Sequence, residues 1–483
     1  MIAYILLAVV VVLALFVYVR ETRYKQPPLI TGYGSIPIIS PLLAFASDPR
    51  DLFTFVSKKY AKEGVARISA FGYTNIHIFF GTPFLEAFFK SPETELSLEQ
   101  AAKFAVGPLL GDISTMQESS KVLHKVDMRP QQPKKLSGHD WISESITTPS
   151  QLDFMFDTAS EVVNKYMDEF VSKKTTEFDL FKEMYNIVVS VNVRCFVGDE
   201  VLEYLDEMTH LLWVIEYYGT TMTSLFNPYS AARKKSVAAR HRIVEIIGKI
   251  REKRMKNIDE GTYNGARDVL QVNIEMGKSD AYIAMALLSI FFAAQTNTVS
   301  TSAWTLAYLA THPEWQEKVR EEIPSEELTN ENARDLPILG AALSETVRRN
   351  ALAFIFRKAL KNVEVNGYTI KKGDMVVISP SIVHADESFY PEPEKWKPER
   401  FIKDGMSYKM AALKFGKNFI QWGFNSHRCL GEQFANIVMK LIITNFLRRY
   451  KVSTNDKLEL DFTKALGMPF AKGDIMMKVE PLH

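Results

Sequence analysis

Residues 2 to 19, IAYILLAVVVVLALFVYV, carry no charge. As a helix this run reaches ~27 Å, close to the ~30 Å hydrocarbon core of a bilayer. Arg20, Arg23 and Lys25 follow it, so the pattern predicts a membrane anchor over residues 1–20 with the rest of the chain on the cytosolic side. A cleaved signal peptide is the alternative, but the run is longer than an h-region and has neither a basic n-region before it nor a small-x-small cleavage site after it. Pro27, Pro28, Gly32, Gly34, Pro37 and Pro41 then predict a stiff, helix-free connector over 21–45. Beyond it, a helix from Asp51 to Lys62 precedes two β-prone alternating stretches, Val65 to Ser69 and Asn75 to Phe80, which predict a small sheet. From 150 to 260 apolar positions recur at helical spacing.

The longest helical signal runs from Ser279 to Thr311, with Ser279-Asp280 as its cap and Pro313 just beyond its end. It spans ~50 Å and is apolar nearly all round, which predicts a helix through the core or a second membrane span. Gln295, Thr296, Asn297, Thr298, Ser300 and Thr301 interrupt it at mid-length. A buried unpaired polar group costs ~1 to 3 kcal/mol, so this cluster implies a wet or functional cavity. A last helix follows Cys429, with Phe434, Ile437, Val438, Leu441, Ile442 and Phe446 at helical spacing and Arg448 and Arg449 in its final turn. The whole predicts a mainly α chain with small β-sheets.

Length changes the picture little: 483 residues would suggest about three domains, yet no repeat, low-complexity tract or linker follows residue 45. The expectation is one large domain over 46–483. A net charge of +1 argues against nucleic acid as a partner. The two cysteines, Cys195 and Cys429, lie far apart in the chain, which excludes a disulfide framework and fits a reducing compartment.

A lone cysteine is more often a buried small hydrophobe than a ligand. The surroundings of Cys429 change that reading. Gly423, Asn425 and Ser426 predict a tight turn before it, and the helix after it places the thiol near positive backbone N–H ends, which lower a thiol pKa. Trp422-Gly423 before, His427-Arg428 beside and Gly431-Glu432 after make an aromatic-Gly-x-x-x-x-x-Cys-x-Gly pattern. This resembles the cysteine loop of the cytochrome P450 superfamily, with Trp422 where the family has Phe and Asn425 where it has Gly. Two further groups carry the same resemblance: Glu345-x-x-Arg348, and Pro398-Glu399-Arg400-Phe401 some fifty residues on.

The resemblance implies the cytochrome P450 fold, haem b (iron protoporphyrin IX) with Cys429 as the thiolate ligand of its iron, and a buried structural triad of Glu345, Arg348 and Arg400. Trp422, Gly423 and Gly431 would border the haem, and Arg357, His427 and Lys125 would face its propionates. Lys121, His124 and Lys125 read equally as a solvated basic face. Most of the family has small-Gly-x-acid-Thr-Thr on the central helix, where this chain has Ala293-Ala294-Gln295-Thr296-Asn297-Thr298. Thr296, Asn297 and Thr298 are the catalytic candidates. Phe104, Phe291, Gln295, Ala353, Phe354 and Leu466 are the substrate-contact candidates.

Asn297, with Phe-Ala-Ala-Gln before it and Trp304 after it, resembles the branch of bile-acid-forming sterol hydroxylases and prostacyclin synthase, and the Gln resembles the sterol 14-demethylases. The implied function is a microsomal monooxygenase that hydroxylates an apolar lipid, a steroid or triterpenoid, with O2 and electrons from NADPH through cytochrome P450 reductase, at the endoplasmic reticulum membrane. That branch also holds an isomerase, so an isomerase or dehydratase acting on an oxygenated lipid without O2 or reductase is the alternative. Lys409, Lys414, Lys417 and Arg428 would steer an acidic electron donor or form a solvated face. The aromatic stretch Leu211 to Tyr218 beside Arg233, Lys234, Lys235, Arg240 and Arg242 would rest on lipid or be an ordinary surface.

Overall fold

A computed structural model describes residues 24–70, 74–105, 144–220, 229–351, 354–402, 416–423, 428–462 and 468–482. The amino-terminal part opens with α1 (Ile39–Ala46), α2 (Arg50–Lys59), β1 (Val65–Ala70), β2 (Thr74–Phe79), α3 (Thr82–Lys90), β3 (Leu96–Ser97) and α4 (Leu98–Ala105). A helical body follows: α5 (Pro149–Ser172), β4 (Glu177–Asp179), α6 (Leu180–Val197), α7 (Leu205–Gly219), α8 (Ala231–Asp259), α9 (Val269–Glu275), α10 (Asp280–Thr311), α11 (Pro313–Glu322), α12 (Asn330–Arg334) and α13 (Pro337–Asn350). The chain closes with β5 (Ile355–Ala359), β6 (Val363–Val365), β7 (Tyr368–Ile370), β8 (Met375–Ile378), α14 (Pro380–His384), α15 (Glu432–Arg449), β9 (Tyr450–Ser453), β10 (Leu460–Asp461), β11 (Phe470–Ala471) and β12 (Met476–Pro481).

The two alternating stretches do pair, antiparallel from Val65 opposite Phe79 to Ala70 opposite Thr74. They belong to a five-stranded sheet of order β1-β2-β8-β5-β3, so β5 and β8 return from nearly 300 residues later to complete it. The connector differs from expectation. Ile39–Ala46 is helical, with Pro41 early enough in the first turn to cost no hydrogen bond. Just before it, Ile30 N donates to Arg67 O and Arg67 N donates to Pro28 O, both at 2.9 Å, which docks the connector on the sheet edge. The residues of the expected anchor lie outside the described residues.

The central helix α10 begins where its cap predicts: Ser279 Oγ accepts from Tyr282 N at 3.3 Å. Its most apolar window has the hydropathy of a membrane span, yet 67% of that window is buried inside the protein. It is the core helix, not a second span. Helices α6, α13 and α15 pack around it. Phe196 of α6 stacks against both Phe291 of α10 and Phe434 of α15, with ring centroids 5.7 and 5.4 Å apart. That aromatic column fixes the central helix relative to the helix that begins just after Cys429.

Candidate active site

The turn before Cys429 closes on itself: Gly423 adopts φ +73°, and Cys429 N donates to Trp422 O at 2.6 Å. A side chain at that φ would be strained, which is the physical need for glycine there. Gly431 caps α15, and the backbone N–H groups of Gly431 and Glu432 lean towards the sulfur. The expected lowering of the thiol pKa is nonetheless outweighed, because burial pushes it up more than those amides and Arg428 pull it down. Thiolate character must then come mainly from a bonded metal. The thiol is hemmed in by protein, yet its surface is accessible. Cys195, by contrast, is fully buried in the main core, with Sγ donating to Met155 O.

The triad is assembled. Arg348 Nε and Nη2 meet the Glu345 carboxylate at 2.7 and 2.8 Å, Arg400 Nε reaches it at 3.3 Å, and Lys397 N donates to it at 2.9 Å. Burial pushes the Glu345 carboxyl up, and these donors pull it back. Arg348 also donates to His384 O at 2.9 Å and to Pro393 O at 2.6 Å. The His384 ring in turn accepts from Ile420 N at 2.9 Å, two residues before Trp422. The triad therefore braces the root of the cysteine loop.

That bond makes His384 sensitive to acid. Burial, reinforced by Arg348, lowers its pKa to about 3. An unfolded histidine titrates near ~6.5. As pH falls below ~6.5 the unfolded chain gains a proton that the fold refuses, so stability present at neutral pH declines by ~1.4 kcal/mol per pH unit down to about 3. The expected result is a urea midpoint that falls from pH 6.5 to 5 in the wild type and falls less in His384→Gln, whose amide oxygen can still accept. Equal slopes would remove His384 from this account.

The structure sorts the remaining candidates. Arg357, on β5, is fully buried; Nη1 donates to Ser91 O and Leu96 O, and the guanidinium lies 4.9 Å from the Phe88 ring centroid. Its Nε has no hydrogen-bond partner and it makes no salt bridge among the described residues, although the Glu93 carboxylate acts on its charge. Ala293 and Asn297, spaced i,i+4, are accessible on a stretch of α10 whose other faces are buried or half-buried. Phe291, a substrate-contact candidate, is fully buried and packs into the Phe196 column. Phe354 is likewise occupied, packed against Phe45 and Phe53 at 5.1 and 5.5 Å. His427, Lys125, Ala353 and Leu466 lie outside the described residues, as do Lys121, His124, Asn425, Lys409 and Lys414 and the side chains of Phe104 and Lys417. Arg428 is paired with Glu432 at 2.6 Å, which offsets its contribution to a cationic face.

Gln295 is buried and donates to the Tyr185 hydroxyl on α6 at 2.5 Å and to the Glu216 carboxylate on α7 at 2.7 Å. Sequence reasoning missed both partners, although a single acid inside the apolar stretch Leu211 to Tyr218 was a signal. A water-sized cavity lies between Glu216, Gln295 and Thr296. The Thr296 hydroxyl is buried there with no partner among the described residues.

The family model described as Cytochrome P450 matches residues 114–477. The chain is a cytochrome P450. It is 24% identical to the beta-amyrin 11-oxidase of Glycyrrhiza uralensis over 472 residues, covering 90% of this chain and 87% of that one. It is 25% identical to the sterol 14alpha-demethylase of Mycolicibacterium vanbaalenii over 453 residues, covering 89% and 92%. In structure it resembles retinoic acid bound cyanobacterial CYP120A1, with a TM-score of 0.74, 22% identity, and 95% of this chain and 100% of that one covered. As a member of this family the protein is a monooxygenase, using haem b with a cysteine thiolate ligand, O2, a hydrophobic substrate and a redox partner.

The residues present fit that group. The exposed Cys429 thiol is the donor that haem iron needs. Beside it, a Cβ added at Gly431 would meet, among the described residues, only that sulfur, at 3.9 Å. Arg357 supplies a buried cation that makes no salt bridge among the described residues and has an unpartnered Nε, which suits a propionate partner.

Proposed function

We propose that this cytochrome P450 oxidises a steroid or triterpenoid, taking electrons from NADPH through cytochrome P450 reductase, with Cys429 as the iron ligand and residues 1–20 as an anchor in the endoplasmic reticulum membrane. One observation carries the reading: an exposed Cys429 thiol together with an accessible two-residue step, Ala293 and Asn297, at mid-length on a central helix otherwise buried or half-buried there. Two relatives covering most of the chain are named for a sterol and for the triterpenoid beta-amyrin, which supports the substrate class.

Haem bound through a thiolate supplies the oxygen-activating chemistry, the thiolate pushing electron density towards the iron. The chain does the rest. Trp422, Gly423 and Gly431 shape the surface around the sulfur, and Arg357, with His427 and Lys125, would neutralise the propionates. The apolar walls exclude water and orient a rigid apolar skeleton. Thr296 holds a hydroxyl that can accept one proton and donate another, and Thr298 is the second such group. Phe104, Ala353 and Leu466 would complete the substrate walls.

Membrane contact has its own support. Trp213 and Tyr217 stack at 4.8 Å on the exposed side of α7, and Lys235 of α8 lies 4.5 Å over the Tyr218 ring. An aromatic surface rimmed by cations suits the lipid interface.

Titration of the haem-loaded protein with tetracyclic and pentacyclic terpenoids and with long fatty acids tests the substrate class. Saturable changes in the haem spectrum are expected with the ring systems at concentrations where the fatty acids give none. The reverse order would overturn the class.

A further inference from the structure

We propose that Asn297 is a positioning residue and not a proton carrier: its carboxamide latches the Met468–Pro469 segment to the central helix and so fixes where the substrate lies. The product readout of this inference rests on the monooxygenase reading above; the structural readout does not.

Asn297, Ser300 and Trp304 fall at i, i+3 and i+7 on α10, which puts them on one face. All three bond the same two-residue segment, some 170 positions away in the chain. Met468 N donates to Asn297 Oδ1 at 2.9 Å, and Pro469 O accepts both from Ser300 Oγ at 2.6 Å and from Trp304 Nε1 at 2.8 Å. Proline has no N–H, so these bonds use the one amide donor the pair possesses and both lone pairs of the Pro469 carbonyl. The segment is built in on its other sides as well. Met468 is buried against Val347 and Ala351 at the end of α13, and Phe470 lies 5.5 Å from Phe181, which itself lies 5.5 Å from Trp304.

The orientation of the Asn297 amide follows from its partner. Met468 N can only donate, so the atom facing it must be the oxygen; what remains is that oxygen's second lone pair and an NH2 group that only donates. A hydroxyl relays a proton by accepting on one side while donating on the other. A carboxamide neither gains nor loses a proton near neutral pH, so it cannot hand one on in this way. Threonine at this position, which the wider family carries, would place its oxygen about one bond short, roughly 1.5 Å, and would leave the Met468 amide unmet. The departure at 297 is thus explained by the latch.

The test uses the haem-loaded, full-length protein and four variants. Asn297→Leu keeps the volume and removes the acceptor; Asn297→Asp keeps an acceptor. Ser300→Ala and Trp304→Phe loosen the same segment one and two turns away. In hydrogen exchange, the Met468 amide is expected to exchange roughly fivefold faster in Asn297→Leu, the factor set by losing one ordinary hydrogen bond, and to stay protected in Asn297→Asp. On a turned-over substrate, Ser300→Ala and Trp304→Phe are expected to shift the ratio of oxidised positions in the same direction as Asn297→Leu, with little extra peroxide. Unchanged Met468 exchange in Asn297→Leu overturns the latch. So does a product shift or peroxide release seen in Asn297→Leu and absent from both Ser300→Ala and Trp304→Phe, because Asn297 would then act on the chemistry directly. If no panel substrate is turned over, the exchange readout still decides the latch while the substrate reading alone fails.

Discussion

Cys429→Ser is expected to abolish turnover and the thiolate signature of the carbon monoxide complex, while Cys195→Ser leaves both in place. An alkoxide or alcohol is a harder and weaker electron donor than a thiolate, and the thiolate's push is what the iron chemistry relies on. The loss should exceed the ~10- to 100-fold typical of removing an outer-shell partner of a metal ligand. Geometry separates the two cysteines: Cys195 donates to a backbone carbonyl from inside the core, whereas Cys429 is exposed. The check is the reduced carbon monoxide difference spectrum of each variant, with bound haem quantified separately. A normal spectrum from Cys429→Ser would remove it as the ligand.

Arg348→Ala has the second largest expected effect. It leaves the Glu345 carboxylate fully buried with only the Lys397 N–H and the more distant Arg400 to meet it. Breaking a buried pair of this kind costs ~3 to 5 kcal/mol, a large share of the ~5 to 15 kcal/mol that holds a domain folded. Arg348 also carries the bond to the His384 carbonyl, and His384 carries the bond to Ile420. The damage should therefore reach the cysteine loop. Low haem content together with an early urea transition is the expected result. Arg348→Lys should recover little, because an ammonium cannot make the two parallel bonds that the guanidinium makes with Glu345. A soluble, fully loaded Arg348→Ala protein would contradict this role for the triad.

How far the sequence could be read depended on how local each signal was. The cysteine loop was legible because its glycine, its turn and the following helix lie within one short stretch. The Glu345, Arg348 and Arg400 grouping was legible only through a family pattern, since nothing in the spacing itself brings Arg400 to Glu345. The central helix was legible as an element, from its cap to its stop. Its faces were not: a helix apolar all round has no polar stripe to orient it, so Phe291 was placed on the site side and lies in the Phe196 column. The connector misled for a different reason, since Pro41 is compatible with a first helical turn. Tyr185, Glu216 and Met468 could not be linked to the central helix by any sequence period, because they reach it from distant segments.

The central claim is that this chain oxidises a ring-fused terpenoid with oxygen from O2. The most direct test incubates the purified protein with NADPH, cytochrome P450 reductase, isotopically labelled O2 and a panel of sterols and triterpenoids, and reads product mass. The account predicts a product heavier by one labelled oxygen atom, or one derived from it, that appears only when both NADPH and O2 are present. Conversion of an oxygenated lipid without either cosubstrate, or a product whose new oxygen comes from water, would contradict it.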